Sequence, residues 1–286
     1  MRILISFLLL LLCSCNSKKK VDFFTLIKTN DQQLSVPIQG EWLFSHHEKG
    51  QSLKQFKSSN PVKPTDKRTI IYLRPIGTFT SLQKKQIELV REYLEIYFQL
   101  KTKTLTSIPN KVVPDTARRF KNSEQLLAGY ILHSVLMEDI PTDGIALMGI
   151  TELDLFPKQD WNYVFGMASY TKRVGVSSIY RLQDAKLTEQ NFDICLSRLL
   201  KICSHEIGHM FGLHHCINAV CVMNGANNLR ETDASPARAC SLCHSKIYSS
   251  LRYNRHKRMI DLAAYFKRNN LTREYKQVEK DLSLIE

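Results

Sequence analysis

The amino-acid sequence predicts an α/β protein, with helices packed on a mixed, mostly parallel sheet and a C-terminal helical extension. Runs of β-branched and aromatic residues alternate with amphipathic helical segments through the middle of the chain, and this alternation favours parallel strands. The segment "DGIALMGITELDLF" is almost continuously apolar, which is typical of a buried strand. After Cys243 the pattern is helical again, which predicts the C-terminal extension.

The regular pattern begins at Thr69, where "TIIYLRPIG" predicts a strand that Pro75 and Gly77 end. Apolar residues then recur at helical spacing, which predicts an amphipathic helix over about 81–100. The remaining predicted elements are, in order, a strand in "TLTSIP", a helix after Ser123 with Leu127, Ile131 and Val135 on one face, a strand over "DGIALMGITELDLF", strands in "WNYVFGMASY" and "VGVSSIYRL", and a long helix from about Asp193 to Gly212.

Four regions divide the chain. Residues 1–14 have the features of a lipoprotein-type signal peptide, and 15–68 those of a polar tether and an irregular arm with enough aromatic residues to pack onto a larger body. Residues 69–250 form the main α/β domain, and 251–286 the helical extension, to which we assign no chemistry. The sequence contains no internal repeat.

The leader predicts export. Its apolar run, Ile3–Leu12, is too short to span a bilayer and fits the hydrophobic region of a signal peptide. The run ends in Leu12-Cys13-Ser14-Cys15, which resembles a bacterial lipobox. On that resemblance Cys15 becomes the lipidated N-terminus of a membrane-anchored lipoprotein on the periplasmic or cell-surface side. An ordinary secretory signal with incidental cysteines is the alternative.

Composition excludes little. The chain is 43% hydrophobic and 23% charged, as in an ordinary globular protein. Its 40 Lys+Arg against 27 Asp+Glu give a formal charge of +13, which fits a solvated lysine-rich surface or attraction to anionic lipid. No arginine-rich recognition helix or aromatic-basic strand accompanies the charge, so no nucleic-acid partner is expected.

A histidine motif, "HEIGHMFGLHH", lies at the end of the long predicted helix. His205 and His209 are four residues apart and therefore share one helix face, where both can bind one metal. Gly212 permits a sharp turn that returns His215 as a third nitrogen ligand. Glu206 can reach a metal-bound water, and three neutral imidazoles leave the fourth position of a zinc ion open, as in catalytic sites.

Cysteines cluster just after this motif, at Cys216, Cys221, Cys240 and Cys243. Four thiolates can bind a structural zinc, but two disulfides or a redox C-x-x-C pair are also open, and export favours disulfides. His214 is one residue short of the ligand spacing and is expected to lie beside the site or at the surface.

The spacing H-E-x-x-H-x-x-G-x-x-H followed by a methionine is the metzincin pattern, and "HCINAVCVM" with "CSLC" resembles the archaemetzincin family. The resemblance extends from about Gly40 to Cys243, and it does not include the lipoprotein-like leader. It implies a metzincin-like zincin catalytic domain, a zinc metallopeptidase that hydrolyses peptide or protein substrates.

The same resemblance implies roles for single residues. His205, His209 and His215 would bind a catalytic zinc, with Glu206 as general base. The residue below that zinc, in the Met-turn, would be Met223. The four-cysteine cluster would hold a second, structural zinc, and the edge strand in "NYVFGMAS" or in "VGVSSIY" would pair antiparallel with the substrate.

Two rival functions follow from the same residues. A membrane-tethered zinc-binding module without catalysis would need the histidines only for structure, and the intact Glu206 argues against it. A thiol oxidoreductase using Cys240 and Cys243 would need a strand-to-helix setting that the pattern around "CSLC" does not predict.

Overall fold

A computed structural model of the chain describes residues 22–183 and 186–285. The signal peptide over 1–14 and the lipidated Cys15 lie outside the described residues. Within the described ranges, no helix has both the length and the apolar character needed to cross a membrane.

A five-stranded sheet forms the centre of the molecule, with the strand order β2-β1-β5-β8-β7. The first four of these strands run parallel, and β7 pairs antiparallel with β8 at one edge. This arrangement confirms the predicted mostly parallel sheet. The strands of the described chain are β1 (Ile70–Ile76), β2 (Thr102–Thr104), β3 (Arg118–Phe120), β4 (Glu124–Leu127), β5 (Gly144–Thr151), β6 (Asp154–Phe156), β7 (Gly166–Ala168) and β8 (Val174–Ser178).

Helices cover both faces of this sheet. Ile71 and Leu73 of β1 pack into one buried cluster with α4 and α7, while Tyr72 between them faces the opposite cluster, as the two-residue strand period requires. The α-helices of the described chain are α1 (Phe23–Ile27), α2 (Trp42–Ser45), α3 (Leu53–Ser58), α4 (Ser81–Phe98), α5 (Ala128–Tyr130), α6 (Met137–Asp139), α7 (Phe192–Met210), α8 (Leu229–Ala234), α9 (Ser241–Leu251), α10 (Arg255–Arg268) and α11 (Thr272–Leu282), and a π-helical segment, Ile131–Leu136, joins α5 to α6.

The helix predicted after Ser123 begins later than the pattern indicates. Glu124–Leu127 is strand β4 of a second, three-stranded sheet, antiparallel to β3 and parallel to β6. Helical structure starts only at Ala128. The reason is tertiary: the Gln125 side chain is fully buried and donates a hydrogen bond to the Asp154 carboxylate of β6 at 2.7 Å, which fixes the strand.

Two other strand predictions were partly wrong. The run "DGIALMGITELDLF" is not one strand: β5 belongs to the central sheet and β6 to the small one. The strand predicted in "TLTSIP" begins two residues earlier, at Thr102–Thr104. The rest of that segment runs alongside β1 and forms an isolated bridge between Ile108 and Ile76.

The arm and the C-terminal helices are fastened to each other through one arginine. Arg238, which precedes α9, binds Asp31 of the arm and Asp281 of α11, each with an N–O distance of 2.7 Å. The arm also buries Ile27 and Phe56 completely in the larger core. Both terminal regions therefore pack against the segment that carries the cysteine cluster.

Candidate active site and second metal site

The three histidines of the motif converge at the end of α7. His205 and His209 lie one turn apart, and their Nε2 atoms are 2.9 Å from each other. Gly212 has φ = 93° and closes the helix, with Leu213 N–H donating to the Gly208 carbonyl, so that the chain reverses. The reversal returns His215, and one ring nitrogen from each histidine lies within 4.8 Å of the others.

Each of these rings donates its Nδ1 hydrogen to an oxygen. His205 Nδ1 lies 2.8 Å from the Val222 carbonyl, and His209 Nδ1 lies 2.6 Å from the Leu213 carbonyl. His215 Nδ1 lies 2.6 Å from Oε1 of Glu48. With Nδ1 protonated on every ring, the three Nε2 lone pairs are left for a metal, which is the usual arrangement around zinc.

Burial also keeps the helical histidines neutral. Loss of solvent, together with the charge of His215, lowers the pKa of His205 to about 3. Burial and the neighbouring imidazoles of His205 and His215 hold the pKa of His209 well below its usual range. Both rings are therefore neutral at physiological pH, the form that binds metal, and the donor set fits zinc.

Glu206 is 6% exposed, and its side chain packs against β7. A Cβ placed on Gly166 would stand only 2.6 Å from Glu206 Oε1, so the carboxylate fills space that a glycine leaves open. Burial raises the pKa of Glu206 to about 8. The edge strand and the carboxylate therefore lie side by side next to the three histidines.

The sequence did not predict that the N-terminal arm contributes to this site. Glu48 accepts hydrogen bonds from His215 and, at 2.9 Å, from the indole Nε1 of Trp42. Burial would raise the pKa of Glu48, but the hydrogen bond and charge of His215 outweigh it, and the pKa is lowered. His46 stacks on Trp42 with ring centroids 3.8 Å apart and does not belong to the three-histidine cluster.

A cavity of about 730 Å³ opens over the histidines, a size that suits a short peptide segment. Tyr170 lines it, 4.9 Å from the His209 ring between centroids, and was not singled out from the sequence. His214 is exposed beside Tyr170, as its spacing indicated. Other lining residues are Trp42, His46, Trp161, Phe165, Lys201 and Ile202.

The four cysteines form a second buried cluster immediately after His215, with all four sulfurs within 4.8 Å of one another. Sγ of Cys216 and Sγ of Cys240 are 3.6 Å apart, far beyond a covalent S–S bond and close to the roughly 3.8 Å between thiolates around one zinc. Backbone N–H groups of Met223 and Cys240 point at the Cys221 sulfur. The donor set therefore fits a closed tetrahedral site.

Met223 is completely buried beneath α7. Its sulfur would lie 2.6 Å from a Cβ on Gly208, the residue before His209, and its carbonyl accepts the Cys216 backbone N–H at 2.7 Å. The methionine thus packs under the histidine-bearing turn of the helix, where the resemblance puts the Met-turn residue.

Comparison with known proteins gives a consistent result. Residues 86–249 match the model of peptidase family M54. Archaemetzincin-2 of Rattus norvegicus is 31% identical over 256 residues, covering 78% of this chain and 71% of the relative. Archaemetzincin of Thermococcus kodakarensis is 31% identical over 186 residues, covering 64% of this chain and 97% of the relative.

Two solved structures share the fold. The archaemetzincin of Methanopyrus kandleri superimposes with a TM-score of 0.54 at 25% identity, covering 65% of this chain and 97% of that one. The archaemetzincin of Archaeoglobus fulgidus, solved in complex with malonate, has a TM-score of 0.51 at 26% identity, covering 62% of this chain and 99% of that one.

Proposed function

This chain belongs to peptidase family M54, the archaemetzincins, and we propose that His205, His209 and His215 form its catalytic zinc site, with Glu206 as general base. The protein is a zinc metallopeptidase, and its substrates are peptides. The observation that carries the assignment of the site is the set of three anchored Nδ1 groups, which leaves three Nε2 atoms converging beside one buried carboxylate.

A zinc ion held by these nitrogens would act as a Lewis acid, and the chemistry it would supply is polarisation of the peptide carbonyl and activation of a water molecule. Glu206 accepts the proton of the attacking water and then delivers it to the leaving amine. Its burial against Gly166 supports this role, because a carboxylate in a poorly solvated pocket is a stronger base than one in bulk water.

Strand β7 is the candidate for binding the substrate backbone. It is the edge of the central sheet, whereas β8 is enclosed between β5 and β7, so β7 alone of the two has a side open for a further strand. A peptide that pairs antiparallel with Gly166–Ala168 would lie beside Gly166, the residue against which Glu206 packs. Of the two segments that the sequence left open, the one containing "NYVFGMAS" is therefore favoured.

The second proposed zinc is held by Cys216, Cys221, Cys240 and Cys243 as thiolates. The separation of the sulfurs and the N–H groups directed at them support a metal rather than two disulfides. Its role is structural, because four protein ligands leave no position open. The proposed zinc content is thus two ions per chain, one catalytic and one structural.

The leader supports a proposal about location. We infer that the chain is exported and that cleavage before Cys15 leaves a lipidated N-terminus at the membrane, since the run before Cys15 resembles a lipobox. Incorporation of a labelled fatty acid that is lost in Cys15→Ala supports this anchor. Equal labelling of both chains, or none in either, contradicts it.

Metal content and turnover together test the proposed site. Purified enzyme is expected to contain two zinc ions and to cleave members of a peptide library, and Glu206→Ala is expected to keep both ions and lose cleavage. A preparation with one zinc contradicts the two-site assignment. Cleavage that survives Glu206→Ala contradicts the general-base assignment.

A further inference from the structure

One charged side chain in the cavity has no role in the chemistry described above. Lys201 lies four residues before His205 on α7, so both side chains stand on the same face of the helix, roughly 6 Å apart at their Cβ atoms. Lys201 is only 4% exposed, and it lines the cavity from a position on α7 that is N-terminal to Glu206. A buried ammonium group in a substrate cavity requires an explanation, because its desolvation is costly.

The hydrogen bonds of Lys201 leave capacity for a ligand. Its Nζ donates to the carbonyl oxygens of Thr232 at 2.7 Å and Ser235 at 3.3 Å, and both of those residues also line the cavity. An ammonium group has three hydrogens, so one remains. Across residues 22–183 and 186–285, these two carbonyls are the hydrogen-bond partners of Nζ, and no carboxylate lies within ion-pair distance of it.

The charged groups near Lys201 have partners of their own. Arg198 is paired with Asp233 at 2.6 Å, and Glu274 accepts a hydrogen bond from the Ser197 hydroxyl at 2.7 Å. Arg273 donates to the backbone carbonyls of Asp233 and Ala234. Asp233 and Glu274 favour the charged form of Lys201, while Arg198 and Arg273 oppose it.

The direction of β7 indicates which part of a substrate reaches Lys201. Gly166 lies against Glu206, and Tyr170, beyond the end of β7, lies against His209, so β7 runs in the same sense as α7. A peptide antiparallel to β7 therefore enters past His209 and leaves toward Lys201. The residue that follows the cleaved bond is the one whose side chain, or whose terminal carboxylate, points to this end of the cavity.

We propose that Lys201 forms a carboxylate-binding subsite that selects substrates with a negative charge on the residue after the cleaved bond. The carboxylate is that of an Asp or Glu side chain or of the peptide C-terminus, and the third hydrogen of Nζ donates to it. Ser235, whose carbonyl accepts from Nζ, also lines the cavity. This inference rests on the proposed function only for the position of the cleaved bond.

The alternative role for Lys201 is to hold the 232–235 segment in place, and one neighbour provides a matched control. Arg273 also donates to carbonyls of that segment but is not among the residues that line the cavity. Arg273→Met therefore removes hydrogen bonds to the same backbone segment and leaves Lys201 in place. Lys201→Met removes both the anchor and the charge, whereas Lys201→Arg retains a cation.

Kinetics with peptides that differ only after the cleaved bond form the first arm of the test. We expect the wild type to prefer Glu over Gln by about tenfold or more in kcat/KM, as for a charge-assisted hydrogen bond in a buried site. Lys201→Met is expected to abolish that ratio, while Lys201→Arg and Arg273→Met retain it. A second pair, with a free or amidated C-terminus at the same residue, distinguishes the side chain from the terminal carboxylate as the natural ligand.

Direct binding forms the second arm and does not depend on turnover. Calorimetric titration of Glu206→Ala with the same peptides is expected to show the same preference, and the Glu206→Ala/Lys201→Met double variant is expected to lose it. Absence of cleavage with the binding preference intact contradicts the proposed peptidase site and leaves the subsite standing. Equal binding of Glu and Gln peptides, or equal losses for both in Lys201→Met, overturns the subsite.

Discussion

Oε1 of Glu48 lies 2.6 Å from Nδ1 of His215, a hydrogen bond that joins residues 167 positions apart in the sequence. Glu48 belongs to the arm that precedes the α/β domain, and His215 is the third histidine of the motif. A residue outside the segment that carries the ligands therefore contributes to the proposed zinc site.

Glu48→Gln tests the strength of this connection. The amide keeps the size of the side chain but removes the negative charge that orients His215 and makes its Nε2 a better donor. We expect affinity for the catalytic zinc to fall about 10- to 100-fold, measured by chelator competition. Glu41→Gln is the matched control, because Glu41 contacts Arg230 at the surface instead. Equal zinc affinity in all three proteins would show that Glu48 has no such role.

Gly166→Ala is expected to displace the general base. A Cβ at this position would lie 2.6 Å from Oε1 and 2.8 Å from Cγ of Glu206, so the carboxylate must move. A displacement of about 1 Å can cost on the order of 100-fold in rate, and we expect kcat to fall by about that factor with zinc content unchanged. Gly129→Ala, whose added Cβ meets its nearest neighbour at 3.8 Å, should retain wild-type kcat. A Gly166→Ala enzyme with normal kcat would contradict the placement of Glu206.

Cys240→Ser distinguishes a structural zinc from disulfides. Loss of one thiolate opens the tetrahedral site, and we expect one zinc per chain and a lower Tm, because a structural zinc contributes directly to folding. Cys203→Ala, at a buried cysteine outside the cluster, should keep two zinc ions. If the wild-type chain instead has the intact mass expected for two disulfides, the second zinc site is wrong.

The selectivity proposed for Lys201 should depend on pH. Burial lowers the pKa of Lys201 to about 8, so the group is a cation at lower pH and becomes neutral above it. The preference for Glu over Gln after the cleaved bond should therefore be present near pH 7 and decline by about pH 9. The ratio is taken within one enzyme, which cancels effects of pH on zinc and on Glu206. In Lys201→Arg the ratio should persist, because arginine stays charged. A wild-type ratio that does not change with pH would exclude Lys201 as the source of selectivity.

Local spacing explains why so much of the site could be predicted from sequence. His205 and His209 are one helical turn apart, and Gly212 allows His215 to follow within a few residues, so the histidine cluster depends on short-range geometry. The four cysteines likewise lie within a short stretch of chain. Family membership and the mostly parallel sheet, predicted from the same local signals, are confirmed.

Predictions failed where pairing between distant segments overrides a local pattern. Leu127, Ile131 and Val135 have helical spacing, yet Leu127 lies in β4 because that segment pairs with β3 and β6. The apolar run around β5 and β6 has no internal signal that its two halves enter different sheets. The spacing of apolar residues shows which face of a segment can be buried. Pairing with another segment decides whether it forms a strand.

The sequence by itself determined the two clusters of candidate metal ligands, the helix that carries the first two histidines and the family, because these depend on residue type and on spacing along one stretch of chain. Only the tertiary structure decided that Glu48 contacts His215, that Gly166 accommodates Glu206 and that Lys201 lines the cavity. Each of these relationships joins different segments of the folded chain, and the distance between two side chains on separate elements is set by packing, which no local pattern encodes.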